Sequence, residues 1–234
     1  MRTATSTMLG LMPPVLSLSK GSPWRYRRVG QTGARSPYTL SQTKTSKFTF
    51  VALEQGTSEW REWRHKGIGA SDAPIIMGEN PWKSASELLR EKRGPARDGS
   101  QNAAMARGTQ LEPEARRRYI VRTGTNFRPA CLQSGLHTWL RASVDGISAD
   151  GSAIVEIKCG ESVYRKTSQN RSVPDYYYGQ LQHILAITGF ATLDFWCYLP
   201  RCPELLVPVA RDYDYIERLI AAELTFWNKV QRNA

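Results

Sequence analysis

Residues 142–158 read Ala142-Ser143-Val144-Asp145-Gly146-Ile147-Ser148-Ala149-Asp150-Gly151-Ser152-Ala153-Ile154-Val155-Glu156-Ile157-Lys158, and the fold is decided there. Asp150-Gly151 is a signal for a two-residue hairpin turn, because both positions tolerate positive φ. With those two residues as the turn, Ala149 faces Ser152, Asp145 lies opposite Glu156, and Ser143 lies opposite Lys158. Successive strand residues alternate faces, so Glu156 and Lys158 project together while Val155 and Ile157 turn away. Two carboxylates held about 5 Å apart repel by roughly 3 kcal/mol at an effective dielectric near 20. A divalent cation compensates such a pair, since Mg²⁺ takes hard oxygen ligands from carboxylates, water and phosphate. Beside it, the Lys158 ammonium can orient or help deprotonate a water and can stabilise charge building on a phosphate. A lone Glu-x-Lys usually means a solvated hairpin whose lysine neutralises its neighbour. The opposed Asp145 and the apolar alternation favour the site.

Working outward, the pattern alternates helices and strands. Helices are expected over 57–66, from just after Ser71 (read as an N-cap), over 85–93, over 103–122, from Asp175 to the stop at Gly189, and over 213–231. Ser84 and Glu87 have capping-box spacing, and Gly94 stops that helix. Gly108 and Pro113 warn of a break in the fourth. Strands are expected over 136–148, 152–159, 192–199 and 204–210, with polar loops over 95–102 and 160–173. Helices followed by a central sheet imply an α/β sandwich.

Charge locates the partner less well than the hairpin does. The chain of 234 residues carries a formal +11, but residues 1–50 hold eight of the 32 basic residues and no acid. The rest sets 24 basic against 21 acidic residues, about +3, so bulk charge says little about a polyanion. Residues 1–50 are rich in Ser, Thr and Arg without periodic burial, and are read as disordered; a transit peptide or a start codon placed too far upstream are the alternatives. Residues 51–234 form the folded domain, its order beginning near Phe48. No apolar run reaches the roughly 20 residues that cross a bilayer. Cys131, Cys159, Cys197 and Cys202 lack metal-ligand spacing, and the expectation is a cytoplasmic protein with reduced thiols. His65, His137 and His183 make no triad, and no Gly-rich loop implies ATP.

Asp145, ten intervening residues and Glu156-Ile157-Lys158 resemble the PD-(D/E)xK nuclease signature. The wider chain, over residues 54–200, resembles the YqaJ-type viral recombinase family, a relative of the exonuclease of phage lambda. Four blocks in order carry the likeness: Glu54-Gln55-Gly56 with Trp60 and the run from Arg64 to Asp72; Gly108-Thr109-Gln110-Leu111-Glu112; the hairpin; and Tyr176 to Gln182. The resemblance implies a restriction-endonuclease-like α/β core, a central mixed sheet flanked by helices. It also implies Mg²⁺-dependent (or Mn²⁺-dependent) hydrolysis of double-stranded DNA from a 5′ end, in phage-type recombination. A single-strand annealing protein as partner and a ring-shaped homotrimer belong to the same implication.

By that resemblance Glu112 completes the metal site with Asp145, Glu156 and the Ile157 carbonyl; read by itself, Glu112 is a helix-surface acid pairing with Arg116. Gln180 corresponds to an active-site glutamine that manages the water or phosphate with Lys158. Gln182 lies about 200° away around the helix, so both cannot address one site. Arg64 and Ser71 correspond to positions that grip a terminal 5′ phosphate, for which a guanidinium and a hydroxyl are apt. Arg165, Lys166 and Arg171 in the 160–173 loop are candidates to track the DNA backbone. Trp82 and Trp139 are read as core anchors. Two rivals remain: an endonuclease with the same metal site, and a DNA-binding module without turnover.

Overall fold

The computed structural model describes residues 47–96 and 103–232, so the readings placed on 1–46 and on most of the 95–102 loop lie outside the described residues. Strand β1 (Phe48–Val51) lies on β3 (Phe127–Ser134), so residues 48–50 of the stretch read as disordered belong to the sheet.

Helix α1 (Ser58–His65) is capped by the Thr57 hydroxyl, which accepts the Trp60 N–H. A two-residue strand β2 (Ile68–Gly69), a 3-10 turn (Ala70–Asp72) and a four-residue α2 (Ala73–Ile76) follow. Ser71 therefore sits inside the 3-10 turn and not at a cap, because α2 starts at Ala73 with Asp72 in the N-cap position. Helix α3 (Ala85–Arg93) has the Ser84–Glu87 capping box. Helix α4 (Ala103–Thr123) runs unbroken through Gly108 and Pro113. Gly108 serves close packing, since a Cβ there would lie 3.1 Å from the Cys159 carbonyl.

Beyond β3 come β4 (Leu140–Ser148) and β5 (Ile154–Cys159), then α5 (Glu161–Asn170), α6 (Asp175–Thr188), β6 (Thr192–Tyr198), β7 (Leu205–Ala210) and α7 (Tyr213–Gln231). Strand β3 escaped the sequence reading because Pro129 interrupts it, and the strand expected from 136 starts at Leu140. The expected 160–173 loop is mostly α5. Val163 and Thr167, one turn apart, are its only buried residues, too thin a stripe to be heard among polar neighbours. The strands form one mixed sheet in the order β1-β3-β4-β5-β6-β7, with β2 beside β4; β5/β6 and β2/β4 are parallel.

Strand alternation sorts the core. Val155, Ile157, Trp196 and Tyr198 meet Ala115 and Tyr119 of α4 on one face of the sheet. Leu132, Leu140, Val144, Ile154 and Phe195 meet Leu181, Ile184 and Leu185 of α6 and Ile216, Phe226 and Val230 of α7 on the other. Between α6 and α7 lies a buried polar pair: His183 Nδ1 is 2.6 Å from Glu223 Oε1, and His183 Nε2 is 3.0 Å from the Arg141 carbonyl oxygen. A carboxyl group at one ring nitrogen and a carbonyl at the other favour the imidazolium. Burial alone would lower its pKa, but the Glu223 carboxylate outweighs burial and raises it above 6.5. The stability it contributes is present below the unfolded value and is lost as pH rises through the raised folded value. Nitrogen-15 spectra are expected to show His183 losing its second proton above pH 6.5, and a ring already neutral below that pH would contradict the pairing.

Candidate active site

The hairpin keeps the expected register but not the expected turn. Gly146 pairs with Val155 and Ile147 with Ile154, while the Ser148 N–H donates to the Ala153 carbonyl at 2.9 Å. The turn is four residues wide, 149–152, and only Gly151 takes positive φ (69°). Asp150 holds it, accepting from the Ser148 hydroxyl at 2.5 Å and the Ser152 hydroxyl at 2.7 Å.

What builds the site is a bulge. Arg128 pairs with Ile147 and Ala130 with Val144, so Asp145 and Gly146 of β4 together face the single residue Pro129 of β3. Proline has no N–H for the ladder and is suited to that place. The extra residue re-aims its neighbour: Val144 and Ile147 both stay in the core beneath α6, and among the described residues the ladder with β5 ends at Gly146, one position short of the expected Asp145–Glu156 pair. Gly146 is required, since a Cβ would lie 2.7 Å from Val155 Cγ1. The Gln55 amide bridges the disrupted ladder, donating to the Ala130 and Val144 carbonyls at 3.2 and 3.1 Å.

Past the bulge β4 and β5 separate. Among the described residues Ser143 has no ladder pair with Lys158; its hydroxyl accepts the Trp60 indole N–H at 2.8 Å. The Ile157 N–H, left without a strand partner, donates to Asp145 Oδ2 at 2.7 Å. Glu156 is 2% exposed. Its Oε1 accepts from Lys158 Nζ at 2.6 Å and from Gln180 Nε2 at 2.5 Å, whereas its buried Oε2 has no hydrogen-bond partner among the described residues. Lys158 Nζ also sits 4.8 Å from the centre of the Tyr177 ring. Gln182 faces elsewhere, bridging the Ala210 carbonyl and the Asp212 N–H.

Glu112 reaches the site from α4, with its carboxylate paired to the Arg116 guanidinium, whose Nε also donates to the Asp145 carbonyl at 2.6 Å. Among the described residues no three His, Cys, Asp or Glu side chains are gathered as a ready ligand set, because Glu112 is turned to Arg116 and Asp145 to Ile157. The three acids nonetheless feel one another. Burial and then Asp145 push the Glu156 carboxyl up to about 7, against the pull of Lys158. Burial raises Asp145 too, and burial followed by Asp145 raises Glu112. Burial alone would lower the Lys158 ammonium, but Glu156 and Asp145 outweigh it and hold its pKa above the ordinary lysine value. A bare carboxylate oxygen among mutually repelling hard-oxygen donors fits a divalent cation.

Glu112, Asp145, Ile157, Lys158 and Gln180 line one end of a cleft of about 1480 Å³ that Ser71 also lines. Ser71 is exposed, and its hydroxyl accepts from Arg64 Nη2 at 2.7 Å; the Arg64 guanidinium lies 4.7 Å over the Trp60 ring. The buried Asp72–Lys92 ion pair (2.8 Å) braces this turn, with Lys92 Nζ also donating to the Arg64 and Gly67 carbonyls. Arg165 and Lys166 stand on α5 rather than on a loop, the first paired with Glu161 and the second over the Tyr176 ring; Arg171 ends that helix with φ 52°. Trp82 is no core anchor: it is 69% exposed on the cleft rim. Trp139 is half-buried and stacks on Trp227. The sequence reading passed over Tyr177, though it stands inside the Tyr176–Gln182 block, and treated Arg116 only as a rival partner for Glu112.

Comparison with known proteins places this arrangement. The model of the YqaJ-like viral recombinase domain matches residues 59–191. The uncharacterized protein YqaJ of Bacillus subtilis (strain 168) is 32% identical over 181 residues, 75% of this chain and 56% of that protein, so the chain spans about half the length of this curated relative. Among solved structures, the alkaline exonuclease LHK-Exo from Laribacter hongkongensis is similar, with 28% identity, 75% of this chain and 93% of that chain covered, and a TM-score of 0.64. The structure of LHK-Exo in complex with dAMP gives 0.67 at the same identity and coverage. A phage related exonuclease from Haemophilus somnus 129PT, 14% identical over 74% of this chain and 96% of that one, shares the fold at a TM-score of 0.50. The architecture is the PD-(D/E)xK core, a mixed sheet flanked by helices. Every residue from Arg64 to Gln180 described above falls inside the matched span, more than half of the chain, and on that ground the chain belongs to the YqaJ-like viral recombinase family.

Proposed function

We propose that this chain is a divalent-metal-dependent nuclease that hydrolyses phosphodiester bonds of double-stranded DNA, digesting one strand from its 5′ end. The observation that carries the reading is the buried Oε2 of Glu156, without a hydrogen-bond partner among the described residues, beside Asp145, Lys158 and Gln180, which line an open cleft. Asp145, Glu156 and the Ile157 carbonyl, with Glu112 released from Arg116, would hold Mg²⁺ or Mn²⁺. When bound, the ion supplies a Lewis acid at the phosphate. Gln180 fixes the Glu156 side chain by its bond to Oε1. Lys158 keeps its proton, since its pKa is raised, so it serves as a cation and hydrogen-bond donor to charge developing on the phosphate. Arg64 and Ser71, already joined to each other on a braced turn, offer a guanidinium and a hydroxyl to a terminal phosphate. A strand exposed by such digestion is the substrate of a single-strand annealing protein, the partner this reading proposes. Sedimentation of the full chain would test the proposed homotrimer.

The test is release of label from linear duplexes with and without a 5′ phosphate, with and without Mg²⁺, beside a closed circle. Label should leave only 5′-phosphorylated linear ends, and only with the ion. Nicking of the circle would make the protein an endonuclease, and no release under any condition would reduce it to a DNA-binding module. Arg64→Ala should erase the preference for the phosphorylated end, a loss of roughly tenfold or more for a charged hydrogen-bond pair. An unchanged ratio of phosphorylated to unphosphorylated rates would remove Arg64 from that role.

A further inference from the structure

Trp82 has a use that the acids and the phosphate site leave unexplained. It is 69% exposed, yet it is not loose: Asn80 Oδ1 accepts the N–H groups of Trp82 and Lys83, both at 2.9 Å, and fixes the turn that presents it. The indole meets Tyr176 at 4.8 Å between ring centres and 75° between planes. Tyr176 packs on Tyr177 at 4.7 Å, and Tyr177 lies beneath Lys158 Nζ at 4.8 Å. A file of aromatic rings thus runs from solvent to the ammonium of the candidate site, along one wall of the cleft that contains Asp145 and Gln180. Lys166 Nζ sits 4.8 Å over Tyr176, adding positive charge to that wall. Whichever ring presents its edge, a single edge-to-face neighbour and 69% exposure leave at least one π-face of the indole open. Nucleobases stack on such faces whatever their identity, which suits a protein that must process any sequence.

We propose that Trp82 is a nucleobase platform: a base of the strand whose phosphate reaches Asp145 and Glu156 stacks on the indole and sets that strand's register in the cleft. The inference rests on the nuclease reading and adds to it a residue that grips the base.

The test uses the full chain and a 5′-phosphorylated duplex carrying 2-aminopurine near that end, with Ca²⁺ or EDTA in place of Mg²⁺ so that binding is read without turnover. Wild type should quench the probe. Trp82→Ala should abolish the quenching and weaken binding about tenfold, and Trp82→Phe should restore most of both. The exposed position predicts an unchanged melting temperature for Trp82→Ala, which checks that it folds. With Mg²⁺, Trp82→Ala should raise KM more than it lowers kcat. Wild-type quenching and binding retained in a folded Trp82→Ala would overturn the platform while leaving the nuclease reading standing. A wild-type chain that neither binds nor degrades DNA would overturn both.

Discussion

Glu156→Gln is expected to lower DNA hydrolysis by roughly a thousandfold while making the metal-free fold relatively more stable as pH rises. The loss of activity follows from removing a hard anionic ligand and its charge. The gain follows from the present state of that carboxyl: 2% exposed, with one oxygen bonded to Lys158 and Gln180 and the other bare. Its folded pKa, about 7, lies above the ordinary 4.5, so the fold favours the neutral form. The cost of charging it is absent below about 4.5, grows across the window up to about 7, and is constant beyond. Across that window the variant should gain on wild type by on the order of 3 kcal/mol, or several degrees in melting temperature. Calorimetry of EDTA-treated protein across that range, paired with a label-release assay, measures both halves. Added Mg²⁺ should raise the wild-type melting temperature and not the variant's. A variant that still degrades DNA with Mg²⁺, or that loses ground to wild type with rising pH, would remove Glu156 from the centre of the site.

Lys158→Met should lower hydrolysis by about two to three orders of magnitude, and its effect on stability should run the other way with pH. The ammonium is the main compensation that the buried Glu156 and the half-buried Asp145 have without a metal, with Arg116 and the Ile157 N–H assisting at Asp145. Without it the Glu156 pKa climbs further. On the acid side of 7 that carboxyl takes a proton and the variant loses little beyond packing on Tyr177. On the alkaline side the charge is forced into a buried setting without its partner, at about 3–5 kcal/mol. The stability of Lys158→Met should therefore keep falling against wild type above about 7, where the advantage of Glu156→Gln, gained between about 4.5 and about 7, is already constant. A pair serving only as a structural strut would lose stability from either change. Like slopes in the two variants would mean that the pair is a prop and not a site held against its own electrostatics.

Much of the fold was legible because its signals are local. Turn chemistry at 149–152 and strict alternation in 155–158 put Glu156 and Lys158 on one face and set the hairpin register, even though the turn proved wider than two residues. The Ser84–Glu87 box and the helix from Asp175 to Gly189 could be read for the same reason: caps and helical stripes act within three or four positions. Helix α5 could not, since two buried residues make no audible period, and β3 could not, since its proline is favourable only against a bulge on another strand.

The sequence by itself determined the hairpin, its register and the pairing of an acid with a lysine on one strand face, through contacts between near neighbours. Only the tertiary structure decided that β4 bulges opposite Pro129, that the strands then part so that Asp145 takes the Ile157 N–H, that Arg116 reaches the Asp145 carbonyl, and that Trp82 stands in solvent. Each of those outcomes depends on a group brought close by folding rather than by sequence, and a pattern of neighbours carries no record of which distant group will arrive.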